Sequence, residues 1–319
     1  MRLLFFISHA QATEVRKAGS VFENPNYSEN NERKNTGLRY DRDGREVCAQ
    51  KMQAHIPRLP NHDSATALIN PPMNISNQNH LEILYQDDDI VAINKPTGLL
   101  VHRSRIDVHA RDFAVETLHN QIGRKVFLVH RLDRPTSGIL LFALNIDAAR
   151  NLAHQFANRK VAKMYRAIVR GHTLDHGRID EALSRKSDSL APDRIANADL
   201  TLQDAITEFE TIRRWEVPFS AGKYPNSRYS EVHVRPETGR KHQIRRHFNH
   251  ISHPLIGDSS HGDIRHNRLF REHFKVSRLL LIAQELSFAH PATDQKISLV
   301  ASRDFEFEQA IKQLNEFAI

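Results

Sequence analysis

Residues 128–144 read LVHRLDRPTSGILLFAL. The second half, Gly138 to Leu144, is apolar without alternation. A strand with one wet face alternates apolar and polar residues, so this run predicts a strand buried on both faces. The first half sets Asp133 between Arg131 and Arg134, then continues Pro135-Thr136-Ser137-Gly138. Proline presets φ, the hydroxyls bond nearby backbone and glycine accepts left-handed geometry, so these four residues predict a rigid turn that aims Asp133. By charge alone, Asp133 reads as a surface salt bridge capping a strand. A guanidinium within several ångströms favours an ionised carboxylate over the acid, and an oriented carboxylate suits nucleophilic or general-base work.

The flanking segments give the fold class. LEILYQDDDIVAINKP (81–96) is two short apolar runs around an acidic turn, which predicts a β-hairpin. NIDAARNLAHQFANRK (145–160) places Ala148, Leu152, Gln155 and Phe156 at helical spacing. KMYRAIVRG (163–171) alternates, with Tyr165, Ala167 and Val169 on one face and Gly171 ending it. SEVHVRP (230–236) and RLLLIAQELSFAHP (278–291) predict strands, and EFEQAIKQL (306–314) a helix. TGRKHQIRRHFNHI (238–251) predicts an amphipathic helix with Ile244, Phe248 and Ile251 as its apolar stripe and Thr238 as its N-cap. Strands outnumber helices without regular βα alternation. The expectation is α+β, a mixed, mainly antiparallel sheet flanked by helices.

Residues 1–79 differ from the rest. They are rich in Asn and charge, poor in apolar residues and punctuated by Pro, which predicts a disordered extension, or a true start further downstream near Met73. The expected folded domain is residues 81–319. At the N-terminus, Leu3–Ile7 is shorter than the roughly 7–15 apolar residues of a signal-peptide core, and no apolar run approaches the roughly 20 residues that span a bilayer. A single cysteine, Cys48, excludes an internal disulfide framework and fits a reducing cytoplasm. The formal charge is +7, and residues 235–275 hold nine Lys/Arg against four Asp/Glu, with seven histidines. Such a local excess predicts a surface that tracks phosphates.

Motifs for other chemistries are missing. There is no G-x-G-x-x-G, no phosphate-binding G-x-x-x-x-G-K-[ST], no H-E-x-x-H and no C-x-x-C. His247, His250 and His253 are spaced by three, but Pro254 ends the helix and no acid joins them, so a metal site is not expected.

HRLDRPTSG (130–138) resembles the signature of the pseudouridine synthase family typified by the bacterial A-type enzymes of large ribosomal RNA. Three further blocks match in order: DDDIVAINKPTGLLVH (87–102), KMYRAIVRG (163–171) and TGRKHQIRRHFNHISHPLIGD (238–258). The finer spelling, including YPNSRY (224–229) and GDSSHGDIRHNR (257–268), is similar to the branch that modifies the uridine at position 65 of tRNA.

The resemblance implies a pseudouridine synthase fold with a central RNA-binding cleft, and a reaction needing no cofactor. It makes Asp133 the catalytic aspartate. Tyr165 would stack on the target base and assist proton removal from C5, and Arg240 would pair with Asp133, with Arg245 as the alternative partner. Arg131 would fill the gap left by the extruded base. Arg134 would be structural or contact phosphate. Lys163, Lys241, Gln243, Arg245 and Arg246 would contact RNA. Lys95-Pro96 reads as a structural turn, and neither His102 nor His130 is expected to touch substrate. The expected partner is tRNA, with large-subunit ribosomal RNA as the alternative target, and the expected state is a cytoplasmic monomer with no membrane or obligate protein partner. The competing readings are an RNA-binding or chaperone module without catalysis and a metal-dependent nuclease using the histidine-rich segment.

Overall fold

The computed structural model describes residues 80–103, 112–184, 201–302 and 304–319. The expectation for residues 1–79 lies outside the described residues. In chain order the strands are β1 (Glu82–Gln86), β2 (Ile90–Lys95), β3 (Phe127–Leu128), β4 (Ser137–Ala143), β5 (Ala162–Arg170) and β6 (His176–Asp180). Then follow β7 (Leu183–Ser184), β8 (Leu202–Gln203), β9 (Ile206–Val217), β10 (Ser227–Pro236), β11 (Leu281–Ala289) and β12 (Lys296–Val300). The helices are α1 (Ala114–Ile122), α2 (Ile146–Ala157), α3 (Gln243–His250), α4 (Ile264–His273) and α5 (Phe305–Leu314).

Ten strands form one sheet in the order β1-β2-β4-β11-β5-β10-β9-β6, with β12 on β11 and β3 on β4. All its pairings are antiparallel except β4 with β11. The architecture is thus the α+β, mainly antiparallel sheet that the sequence predicts, and the predicted hairpin is β1–β2.

Every residue of β4 is buried. Ile139, Leu141 and Ala143 join the cluster that holds Leu152 of α2 and Phe307 of α5, while Leu140 and Phe142 join Leu118 of α1. The apolar run has no polar face because helices cover both sides of the sheet at this strand. Ile244 and Phe248 of α3 pack on Ala167, Val169, Val232 and Val234, the alternating faces of β5 and β10. Burying a side chain of this size contributes about 1.5–3 kcal/mol, so α3 is held firmly over these strands.

The predicted cap of α3 is not the one found. His242 occupies the N-cap position in the left-handed region, φ 55°, and its side chain makes no capping bond. Thr238 instead donates from its hydroxyl to Gln243 Oε1 at 2.7 Å, and the same oxygen accepts from the Arg240 backbone N–H at 3.0 Å. The Gln243 amide nitrogen donates to the Ile206 carbonyl and to Thr207 Oγ1. One buried amide therefore ties the T-G-R turn to β9, a competition that apolar spacing does not register.

Gly138 marks where β4 meets its parallel neighbour. Its φ is +107°, and a Cβ there would lie 2.3 Å from the Ala283 carbonyl oxygen of β11. Gly138→Ala is expected to lower stability by about 2–4 kcal/mol from backbone strain plus steric overlap. Urea denaturation checks this, and a loss below about 0.5 kcal/mol would mean the two strands separate without cost.

Candidate active site

Asp133 lies in the turn between β3 and β4, where its carbonyl accepts the Thr136 N–H at 3.1 Å. A second loop grips the turn from below. Lys95, fully buried at the end of β2, donates from Nζ to the carbonyls of Pro96, Leu99 and Arg134 at 2.8, 2.9 and 3.2 Å. Gly98 N–H donates to the Arg134 carbonyl, Arg134 Nε donates back to the Gly98 carbonyl, and Thr97 Oγ1 donates to the Pro135 carbonyl. Lys95-Pro96 is thus structural, as its sequence predicts. Burial pushes the Lys95 ammonium down to about 7. His130 has a similar supporting place: its Nε2 accepts the Leu141 N–H at 2.9 Å and its ring stacks on Phe156. Burial, with Lys163 nearby, pushes it down to about 3, so it stays a neutral acceptor.

The partner of Asp133 is Arg245, on α3. Arg245 Nη1 donates to Asp133 Oδ2 at 3.0 Å. Its other edge is taken by Asp258, with Nε to Oδ2 at 2.7 Å and Nη2 to Oδ1 at 2.8 Å. Arg245 is 3% exposed and the Asp258 side chain 0%, whereas the Asp133 side chain is 25% exposed. Asp258 Oδ1 also accepts the N–H groups of Ser260 and His261. These bonds hold the Asp258 carboxyl below the usual carboxylate range despite its burial. The two pairs with Asp258 and Asp133 keep Arg245 charged against burial.

Arg240 does not perform the pairing expected of it. Its Nε donates to the Asp204 carbonyl at 3.0 Å, and among the described residues the guanidinium that reaches Asp133 is that of Arg245. The two arginines are five residues apart, but the left-handed His242 between them turns the chain into α3, which carries Arg245 to Asp133. Two further expectations are corrected by the bonds these side chains make. Gln243 is buried and fully engaged within the protein, which leaves it no free group for RNA. Arg246 lies outside the cleft lining and donates to the Ser184 carbonyl and hydroxyl at 3.0 Å each, which turns it away from the cleft. Arg245 itself is too buried to bind a backbone phosphate.

Around Asp133 opens a cleft of about 960 Å³. Its lining includes seven Lys/Arg side chains against two carboxylates, Asp133 and Glu237. Arg131, Arg134, Lys163, Arg240 and Lys241 are among them, and Arg246 is not. Arg159 joins them from the left-handed residue after α2, a placement that no motif marks. Tyr165 of β5 forms part of the wall, and burial together with the nearby Asp133 charge pushes its phenol up, so it remains neutral. Lys163 Nζ donates to the Thr238 carbonyl at 3.5 Å, and burial, with Arg159, pushes it down to about 8. His102 also lines the cleft. The His247-His250-His253 set does not converge: His247 bonds Thr207 and the Glu181 carbonyl, and His253 bonds the Arg170 carbonyl. The arrangement is a positively lined pocket with one partly exposed, oriented carboxylate and an aromatic wall. Such a lining suits an anionic chain, and an oriented carboxylate suits nucleophilic or general-base work.

Two outcomes follow from this geometry. Arg245→Ala strands two carboxylates and is expected to cost about 3–5 kcal/mol of stability and nearly all turnover. Arg240→Ala is expected to stay within about 0.5 kcal/mol of the parent and to keep turnover with weaker RNA binding. Denaturation and single-turnover rates read both, and an inactive Arg240→Ala beside an active Arg245→Ala would reverse the assignment. The second outcome concerns pH. Phosphate binding favours charged Lys163, so RNA affinity should weaken several-fold as pH rises through about 8. Anisotropy titrations should lose that pH step in Lys163→Gln, and an unchanged step would place its origin elsewhere.

The profile of the family described as RNA pseudouridylate synthase matches residues 89–250. A tRNA pseudouridine synthase C of Vibrio vulnificus (strain CMCP6) is 48% identical over 233 residues, which cover 73% of this chain and 95% of the relative. One of Yersinia pestis is 48% identical over 233 residues, covering 73% and 90%. One of Pectobacterium carotovorum subsp. carotovorum is 45% identical over 251 residues, covering 78% of this chain and 66% of the relative. Among solved structures, human RNA pseudouridylate synthase domain containing 1 superposes with a TM-score of 0.54 at 26% identity, covering 73% of this chain and 86% of that one. The agreement extends over the β4 turn that carries Asp133 and the α3 helix that carries Arg245, and the chain belongs to the RNA pseudouridylate synthase family.

Proposed function

We propose that the cleft around Asp133 converts one uridine of tRNA, at position 65, into pseudouridine. The observation that carries the reading is the Asp133 carboxylate, fixed by Arg245 and partly open to a cationic cleft. The names of the bacterial relatives, each a tRNA pseudouridine synthase C, support tRNA as the substrate. No helix among the described residues is long and apolar enough to cross a membrane. We place the enzyme in the cytoplasm as a monomer acting on tRNA.

The reaction breaks the N1–C1′ bond of uridine, turns the uracil and joins C5 to C1′. C5 loses a proton and N1 gains one, so the product is an isomer of the substrate. A stacked base cannot reach the cleft and must be flipped out, at a cost of a few kcal/mol. Phosphate contacts from the cleft cations, with Arg131 in the gap left by the base, offset that cost. Tyr165 offers an aromatic face for the extruded uracil. Because its phenol stays neutral, it is a weak base, and stacking is its main contribution. Asp133 acts by attacking C1′ or C6 or by removing the ribose 2′-proton.

Asp133→Asn is expected to abolish product while tRNA binding persists, since the amide keeps the size of the carboxylate but neither its charge nor its basicity. Tritium release and anisotropy read the two arms, and full release from the variant would sink the role of Asp133. Pseudouridine mapping in RNA from a deletion strain tests the target. Loss at tRNA position 65 is expected, and loss confined to ribosomal RNA would overturn the substrate.

A further inference from the structure

Asp133 has two carboxylate oxygens, and Arg245 accounts for one. The other, Oδ1, is faced by His242 Nε2 at 3.9 Å, too far for a hydrogen bond. The His242 ring is held from behind. Its Nδ1 lies 2.9 Å from Nε2 of His261, with the two rings edge to face at 5.1 Å. His261 sits in the loop whose N–H groups bond Asp258 Oδ1. Asp258 therefore anchors two arms that reach the two oxygens of Asp133, one through Arg245 and one through His261 and His242.

Two facing imidazole nitrogens at hydrogen-bond distance share one hydrogen. If it belonged to a neutral His242, that ring would turn a bare Nε2 lone pair on Asp133 Oδ1, two acceptors face to face. If both rings carried it, the contact would break. The arrangement without conflict has His261 donating from Nε2 to His242 Nδ1, which leaves the hydrogen of His242 on Nε2, beside Asp133. Burial holds the His242 imidazolium below its usual range, the Asp133 and Asp258 charges work against this, and Arg245 and Lys241 reinforce it, which agrees with a neutral ring. The backbone of His242 is in the left-handed region, φ 55°, a conformation that a non-glycine residue keeps only when its surroundings over-determine it, and such residues cluster at functional sites.

We propose that His261 is a positioning residue that fixes the tautomer of His242, so that His242 presents a neutral Nε2–H donor to the reacting nucleotide beside Asp133. The inference rests on Asp133 as the reacting carboxylate. At 3.9 Å the N–H is not yet bonded to Asp133, so it is free for an acceptor of the nucleotide beside them, such as a ribose hydroxyl that accepts from Nε2–H and donates to Asp133 Oδ1.

The test has a structural and a kinetic arm. In the enzyme without RNA, long-range nitrogen–proton NMR of the imidazoles should show His242 as the Nε2–H tautomer, its signals assigned by their loss in His242→Asn. In His261→Phe that preference should disappear. Single-turnover rates with tRNA should fall about tenfold in His261→Phe, with KM little changed, as expected for one lost oriented hydrogen bond. His261→Gln, whose amide N–H reaches the same place, should recover most of the rate, a rescue that mere loss of packing would not give. An Nδ1–H tautomer in the parent, or a His261→Phe enzyme at the parent rate, would overturn the proposal. The tautomer is read without substrate, so it stands or falls separately from the role of Asp133.

Discussion

The Arg245 guanidinium is buried between two carboxylates, and the rest of the site is arranged around it. A guanidinium taken out of water costs several kcal/mol unless charge and hydrogen bonds replace the solvent. Asp258 supplies that replacement through two parallel bonds and is itself satisfied by the Ser260 and His261 N–H groups. Because the guanidinium is planar, fixing Nε and Nη2 on Asp258 also fixes the direction of Nη1, which meets Asp133 Oδ2. A lysine would hold a charge there but no direction. Asp258 needs a close approach of its own: Gly257 has φ +79°, and a Cβ there would fall 1.7 Å from the Arg278 carbonyl oxygen.

Asp133 is thus held from two sides by elements far apart in the chain. From below, Lys95 and the loop that follows β2 bond the backbone of residues 134 and 135. From the side, α3 brings Arg245. The parallel junction of β4 and β11 at Gly138 sets where the turn emerges from the sheet. Such a carboxylate is rigid at its base and open at its tip, the combination that preorganised catalysis asks of a reacting group. In the proposed reaction the surrounding cations would bind the chain that carries the base, while Asp133 acts on one unit of it.

Much of this was legible along the chain because the signals were local. The hairpin of β1 and β2, the doubly buried β4, the helix α2 and the shared face of Tyr165, Ala167 and Val169 on β5 all follow from periodicity within ten or so residues. Asp133 stood out through the turn after it. What stayed hidden depended on pairings across the sequence. Arg240 and Arg245 look equivalent in TGRKHQIRRH, and choosing between them required knowing that His242 turns left-handed and that Asp258 waits beneath α3. Gln243 read as an RNA contact because nothing local shows that β9 and the Thr238 turn claim all of its hydrogen bonds. Nor does anything local show that Arg246 leans on Ser184, outside the cleft. The His242–His261 contact joins residues nineteen apart across two loops and has no period to betray it.

The most direct measurement is a crystal structure of the Asp133→Asn enzyme bound to a tRNA stem containing the target uridine. The account predicts the uridine flipped into the cleft, its ring stacked on Tyr165 and its C1′, C6 or 2′-carbon within about 3–3.5 Å of the side chain at position 133. Arg245 should still bridge positions 133 and 258. A uridine left stacked in the stem, or flipped toward another carboxylate with the position-133 amide remote from the sugar, would contradict it.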